Sequence, residues 1–175
     1  VLWLACWMIH NANHIRVNQD GLKVGGHQAS SASIVSIMTA LYFSILKPED
    51  RVAVKPHASP VFHAIQYLSG LQTKEKIENF RGFGGAQSYP SRTKDIDDVD
   101  ISTGSVGLGV AMTSFISLIQ DYIARKKFYK NKPLGRMIAL VGDAELDEGN
   151  VYECLQEGWK HDLRNVWWII DYNRQ

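Results

Sequence analysis

The chain has little cysteine: Cys6 and Cys154 are the two in 175 residues. They form no Cys-x-x-Cys pair and no zinc spacing, which excludes a disulfide framework, and they read as reduced thiols of a cytoplasmic protein. Charge of one sign is also lacking. Lys and Arg number 19 against 18 Asp and Glu, a net +1 that indicates neither a nucleic-acid-binding field nor an acidic tail. No apolar run looks long enough to span a bilayer. Val1 to Ile9 is apolar, but no basic segment precedes it and no small-residue cleavage site follows, so it does not read as a signal peptide. There is no Gly-Lys-Ser/Thr step and no Gly-x-Gly-x-x-Gly, which excludes a P-loop and a dinucleotide fingerprint. Repeats, low-complexity tracts and linkers are absent, so residues 1–175 read as a single domain. An initiator Met is absent too, and the sequence reads as a piece of a longer protein. What is present, 45% apolar and 21% charged residues, is ordinary for a globular protein with a real core.

The clearest pattern lies between Met137 and Gln175. Ile138-Ala139-Leu140-Val141 and Val166-Trp167-Trp168-Ile169-Ile170 are short, continuous apolar runs, the pattern of strands buried on both faces. Between them, from Glu148 to His161, Val151, Leu155 and Trp159 recur at helical spacing. Parallel strands joined through a helix lie side by side with a right-handed crossover. Asp143 and Asn173 each stand just past the carboxyl end of one strand. They are 30 positions apart in the chain and are expected to be neighbours in space. Ligands of open α/β sheets bind at that edge. A carboxylate, an amide oxygen and nearby backbone carbonyls are hard donors that suit Mg²⁺ or Ca²⁺ and serve zinc poorly. The plainer alternative is an Asp143 that only caps a helix.

Upstream, Val1 to about Val17 reads as a helix, followed by turn chemistry at Asn18-Gln19-Asp20-Gly21. Gly25-Gly26-His27 leads into a helix from Ser30 to Ile45 with Ile34, Ile37, Met38, Leu41 and Ile45 as its buried stripe. His27 and Ser30 then sit at a helix N-terminus, where free N–H groups favour phosphate. Alternatively Ser30 caps the helix and His27 is a surface residue. Arg51 to Lys55 reads as a strand, which puts His57 at the carboxyl edge of the sheet. Val61 to Gly70 is helical, and Thr73 N-caps the next helix. His63 is expected to pack or to face solvent. Arg81 to Asp100 reads as a long loop. Its acidic run Asp95–Asp100 misses the EF-hand pattern, because Val99 stands where a ligand is required, and is expected to be solvated. Gly104-Ser105-Val106-Gly107-Leu108-Gly109 opens a helix to about Phe128. The basic residues Arg125, Lys126, Lys127, Lys130, Lys132 and Arg136, with Phe128 and Tyr129 among them, read as a solvated helix end rather than a nucleic-acid surface. The fold class is α/β, a parallel sheet flanked by helices.

Gly142-Asp143-Ala144, then Asn173 about thirty residues on, resembles the metal and diphosphate motif of thiamine diphosphate enzymes, with Ala144 where glycine is usual. Gly25-Gly26-His27-Gln28-Ala29-Ser30 and Ser88-Tyr89-Pro90 extend the likeness. From Gly25 to Gln175 the chain is similar to the decarboxylating subunit of homodimeric pyruvate dehydrogenases and, more distantly, to transketolases. The resemblance implies the diphosphate-binding domain of an enzyme that uses thiamine diphosphate and Mg²⁺ to decarboxylate a 2-oxo acid, pyruvate first. It makes Asp143 and Asn173 side-chain ligands of the metal and Gln175 a backbone-carbonyl ligand. Ala144 and Glu145 would lie beside the cofactor, with Glu145 orienting the turn. Ser30, Lys55, Ser105 and Val106 become cofactor contacts, and His27 and His57 active-site histidines. Tyr89 stands where transketolases have a sugar-holding histidine, which favours a 2-oxo acid over a ketose phosphate. The same resemblance implies a homodimer and an acyltransferase subunit of a multienzyme complex as partner, while the charge balance and the lack of a long apolar run lead us to expect no nucleic acid and no membrane. It also places the activating glutamate on another domain, so the 175 residues alone are expected to be inactive. Two other readings stand beside it: two-carbon transfer between sugar phosphates, and a non-catalytic assembly domain, for which Ala144 and Pro56 speak.

Overall fold

The computed structural model describes residues 1–18, 21–128 and 133–174. Its contacts cluster into two compact units, residues 46–55 with 103–175 and residues 1–45 with 56–102.

The first of these holds a three-stranded parallel sheet in the order β1 (Arg51–Ala53), β2 (Met137–Gly142), β3 (Val166–Asp171). Val52 is opposite Ile138, and Gly142 is opposite Asp171. The crossover between β2 and β3 carries helix α7 (Gly149–Lys160), and the long helix α6 (Leu108–Arg125) packs on β1, β2 and α7. In the central strand, Ile138 to Val141 are at most 2% exposed. A parallel strand covered on both faces has to be this apolar. β3 departs from the expectation: Trp167 and Ile170 are 40% and 43% exposed. Among the described residues β3 pairs with β2 alone, and covering helices reach only part of it.

The amino ends of the strands are clamped electrostatically. The Arg136 guanidinium binds the Asp50 carboxylate, the Arg136 backbone N–H donates to Asp50 Oδ1 (2.7 Å), and the same guanidinium lies 4.2 Å from the Trp167 ring centroid. Arg136 is therefore not part of a solvated helix end; α6 stops at Arg125, and Tyr129, Lys130 and Lys132 lie outside the described residues. Burial alone would raise the Asp50 carboxyl. Hydrogen bonds from the side chain and backbone of Arg136 and from the Lys47 backbone, with the Arg136 charge, outweigh it and hold the group at about 2. A carboxyl depressed in the folded state stabilises above its unfolded value, near 3.9, and loses that contribution as pH falls to its folded value. Unfolding followed between pH 5 and pH 2 should therefore show a loss of about 2 kcal/mol from this group. Asp50→Asn should remove that part of the pH slope.

The second unit is helical. Helix α1 (Leu2–His10) runs on through a wide turn, Asn11–Ile15, closed by Arg16 N–H on the Asn11 carbonyl (2.8 Å). It ends there, short of Val17, because Arg16 is extended. The helix expected from Ser30 begins two residues earlier and is divided into α2 (Gln28–Ala32), α3 (Val35–Ala40) and a wide turn, Leu41–Ile45. Ile34, Met38 and Leu41 are buried, but Ile45 is 42% exposed, because the ladder has widened before it. By length and composition alone, Gln28–Ile45 is long and apolar enough to cross a membrane, contrary to the sequence expectation. Both α2 and α3 pack on α4 (Ser59–Leu68), and 28% of the Gln28–Ile45 segment is buried. α4 is buried continuously from Ser59 to Gln66, so each of its large side chains, such as Phe62 and Ile65, contributes roughly 1.5–3 kcal/mol by leaving water. A short helix, α5 (Lys74–Glu78), starts at Thr73, whose hydroxyl accepts from Lys76 N–H at 3.3 Å.

Candidate functional site

The carboxyl rim of the sheet brings the ends of β2 and β3 together, because Gly142 and Asp171 are register partners. Asp143 follows Gly142 and starts a single turn, Ala144–Asp147. Its Oδ1 accepts from Ala144 N–H (3.1 Å) and its Oδ2 from Arg174 N–H (2.7 Å). Asp143 thus both caps its own turn and fastens the segment that carries Asn173. The Asn173 amide nitrogen is turned to Asp171 Oδ2 (3.3 Å). The same Asp171 oxygen receives the Lys55 ammonium at 2.7 Å, with both side chains at most 5% exposed. Asp171 was not singled out in the sequence, although its place as the last residue of β3, two before Asn173, was a usable signal.

Glu145 joins a third loop to this rim. Its Oε1 accepts from Gly107 N–H (2.8 Å) and its Oε2 from Gly142 N–H (3.3 Å). Gly107 has φ +76, and a Cβ there would stand 2.3 Å from Asn150 Oδ1. Only glycine combines that backbone with that approach. Ser105 is partly buried and Val106 is 48% exposed, its carbonyl accepting from Asn150 Nδ2 (2.9 Å). Ala144 is exposed and does not adopt the left-handed backbone that would have required glycine. Gln175 lies outside the described residues.

The other candidates belong to the helical unit. Gly25 sits so close to α1 that a Cβ would meet the Ile9 carbonyl at 2.4 Å, and its N–H donates to Asn13 Oδ1 (2.6 Å). The pair Gly25-Gly26 then delivers His27, exposed, at the N-cap of α2. Ser30 is buried one turn into α2, so it is not the cap. His57 is exposed on the tight turn Pro56–Ala58, and Tyr89 is 52% exposed. His63 is completely buried and bonded to Asp97. The acidic run is therefore not uniformly solvated: Asp97 is 6% exposed and Asp95 is partly buried, because both are bonded inward.

The rim's oxygen donors are of the kind that a hard divalent cation takes. Asp143 offers carboxylate oxygens and Asn173 an amide whose nitrogen is already directed to Asp171, and both are held by hydrogen bonds that fix their orientation. Neither thiolate nor imidazole stands among these rim residues, so a soft-metal site is disfavoured by chemistry.

Residues 22–174 match the family model of transketolase, thiamine diphosphate binding domain. The chain is 26% identical over its whole length to the pyruvate dehydrogenase E1 component of Mycolicibacterium smegmatis, covering 19% of that protein. It is 29% identical over 85% of its length to transketolase-like protein 2 of Mus musculus, covering 24% of it. With human transketolase the identity is 27% over 93% of the chain and 27% of the relative. The chain therefore spans about a fifth to a quarter of the length of these relatives. Among solved structures, transketolase from Leishmania mexicana superposes with a TM-score of 0.80 at 18% identity, over 97% of this chain and 26% of that one. Transketolase from Campylobacter jejuni gives 0.77 at 23% identity, again over 97% of this chain and 26% of that one. These likenesses show the fold, and the match over residues 22–174 shows the family: the chain belongs to the thiamine diphosphate binding domains of the transketolase type.

Proposed function

We propose that this chain supplies the diphosphate- and Mg²⁺-binding part of an enzyme that oxidatively decarboxylates a 2-oxo acid, pyruvate foremost. The observation that carries the reading is the junction at the sheet rim, where the Asp143 carboxylate holds the backbone of Arg174 at 2.7 Å, next to Asn173. Asp143 and Asn173 would hold the metal, with the Gln175 backbone carbonyl beside them, and Glu145 would keep Gly142 and Gly107 in place around the diphosphate. Ser30, Lys55, Ser105, Val106 and Ala144 are the further cofactor contacts of this proposal. Bound there, thiamine diphosphate supplies the carbon nucleophile and electron sink that side chains lack. His27 and His57 would hold or deliver a proton at the substrate carbonyl oxygen. The complete enzyme is proposed to be a cytoplasmic homodimer that passes its two-carbon unit to an acyltransferase partner.

A second reading, two-carbon transfer between sugar phosphates, rests on the likeness to transketolases. Ser88-Tyr89-Pro90 speaks for the 2-oxo acid instead. The full-length protein, given thiamine diphosphate, Mg²⁺ and an electron acceptor, is expected to release carbon dioxide from pyruvate and to leave xylulose phosphate untouched. Two-carbon transfer from xylulose phosphate without pyruvate turnover would overturn the proposal. The 175-residue chain by itself is expected to show no turnover.

A further inference from the structure

The helical unit holds a polar cluster that the proposed chemistry does not use. His63, on the continuously buried α4, is 0% exposed, with its ring 5.5 Å from Phe62 and 5.9 Å from Phe80 by centroids. Its Nδ1 lies 2.6 Å from Asp97 Oδ2 and its Nε2 lies 2.7 Å from the Gln87 carbonyl oxygen. A carbonyl can only accept, so Nε2 carries a hydrogen. The contact between Nδ1 and Oδ2 needs a second one, whichever atom it rides on. The pair therefore holds two protons and is neutral as a whole, which lowers the cost of its burial, although Asp97 Oδ1 is buried with no hydrogen-bond partner among the described residues.

Asp95 completes the arrangement from the other side. Its Oδ1 accepts from Gln87 N–H (2.9 Å) and its Oδ2 from Ser91 N–H (2.8 Å). The Gln87 residue is thus held through its N–H by Asp95 and through its C=O by His63. Ser88 and Tyr89 follow directly, and Pro90 after them is buried. Ligand atoms of His63, Asp95 and Asp97 lie within 4.8 Å of one another, a spacing that a cation could share. Both ring nitrogens of His63 are already engaged with acceptors through protons, so the geometry favours the proton over the metal.

We propose that His63 and Asp97, with the proton between them, are positioning residues that latch Gln87 and so set Tyr89 toward a 2-oxo acid. This rests on Tyr89 facing substrate, as the functional reading holds. Asp97→Asn keeps a donor for Nδ1, leaves Nε2–H on Gln87, and is expected to preserve the latch. Asp97→Ala and His63→Phe remove it.

Two measurements on the full-length protein decide. Limited trypsin digestion reads the loop without any activity: cleavage at Arg92 and Lys94 should quicken at least tenfold in Asp97→Ala and His63→Phe and stay within about twofold in Asp97→Asn. Kinetics read the function: KM for pyruvate should rise at least tenfold in the first two variants, while kcat and the affinity for thiamine diphosphate with Mg²⁺ change less than about threefold. Unchanged digestion in Asp97→Ala sinks the latch. Faster digestion with unchanged KM leaves a merely structural pair and overturns the positioning role. Digestion as expected in a protein that does not turn over pyruvate would overturn the functional reading and, with it, the substrate half of this proposal. A wild-type protein that takes up one Zn²⁺ per chain, lost in His63→Phe, would make the cluster a metal site and overturn the proton assignment.

Discussion

Lys55→Met is expected to lower the unfolding free energy by about 3–5 kcal/mol. The substitution keeps the length and apolar stem of the side chain and deletes only the ammonium. Asp171 would then remain at 4% exposure without the cation that sits 2.7 Å from its Oδ2. A buried carboxylate stripped of its partner loses the Coulombic term and keeps the desolvation cost, which is why one-sided deletion is far worse than removing both charges. Lys55→Met combined with Asp171→Leu should therefore recover most of the loss. Urea unfolding of the two proteins measures this; a single variant within about 1 kcal/mol of wild type would mean that water reaches the pair. Asp171 also receives the Asn173 amide, so the single variant should loosen the Asn173 segment as well as the sheet.

Asp143→Ala should weaken thiamine diphosphate binding at least about 100-fold when Mg²⁺ is present, or about 2.7 kcal/mol, and change little in its absence. The reason is twofold. The variant deletes a hard oxygen donor, and it releases the Arg174 N–H that now ends on Asp143 Oδ2. Asp143→Asn keeps one oxygen at the same place but loses charge, so it should fall between the two. Calorimetry on the full-length protein with and without Mg²⁺ makes the comparison. If Asp143→Ala binds as wild type does under both conditions, the carboxylate is only the cap that the Ala144 N–H contact also describes.

Much of the sheet unit was legible because its signals are local. Ile138–Val141 is a continuous apolar run, and the structure buries all of it in the central strand. Val166–Ile170 read as the same kind of strand, but its half-exposure depends on which neighbours cover it, and no residue within the run reports that. The helical unit was harder. The acidic run from Asp95 read as solvated because its partner, His63, is 34 residues away from Asp97 and belongs to a helix whose apolar pattern hides one polar member. Arg136 looked like one of a string of basic residues until Asp50, 86 positions earlier, turned out to bind it. In each case the sequence carried both partners and the fold supplied the distance between them. The rim itself was readable for the opposite reason: Asp143 comes one residue after β2 and Asn173 two after β3, so a parallel pairing brings their segments together whatever the rest of the chain does.

Glu145 divides its two carboxylate oxygens between the amides of Gly107 and Gly142. A single side chain therefore couples the loop before α6 to the turn after β2. Displacing either glycine releases one oxygen of the carboxylate that also holds the other. Binding at one segment is therefore expected to change the order of the other through this carboxylate.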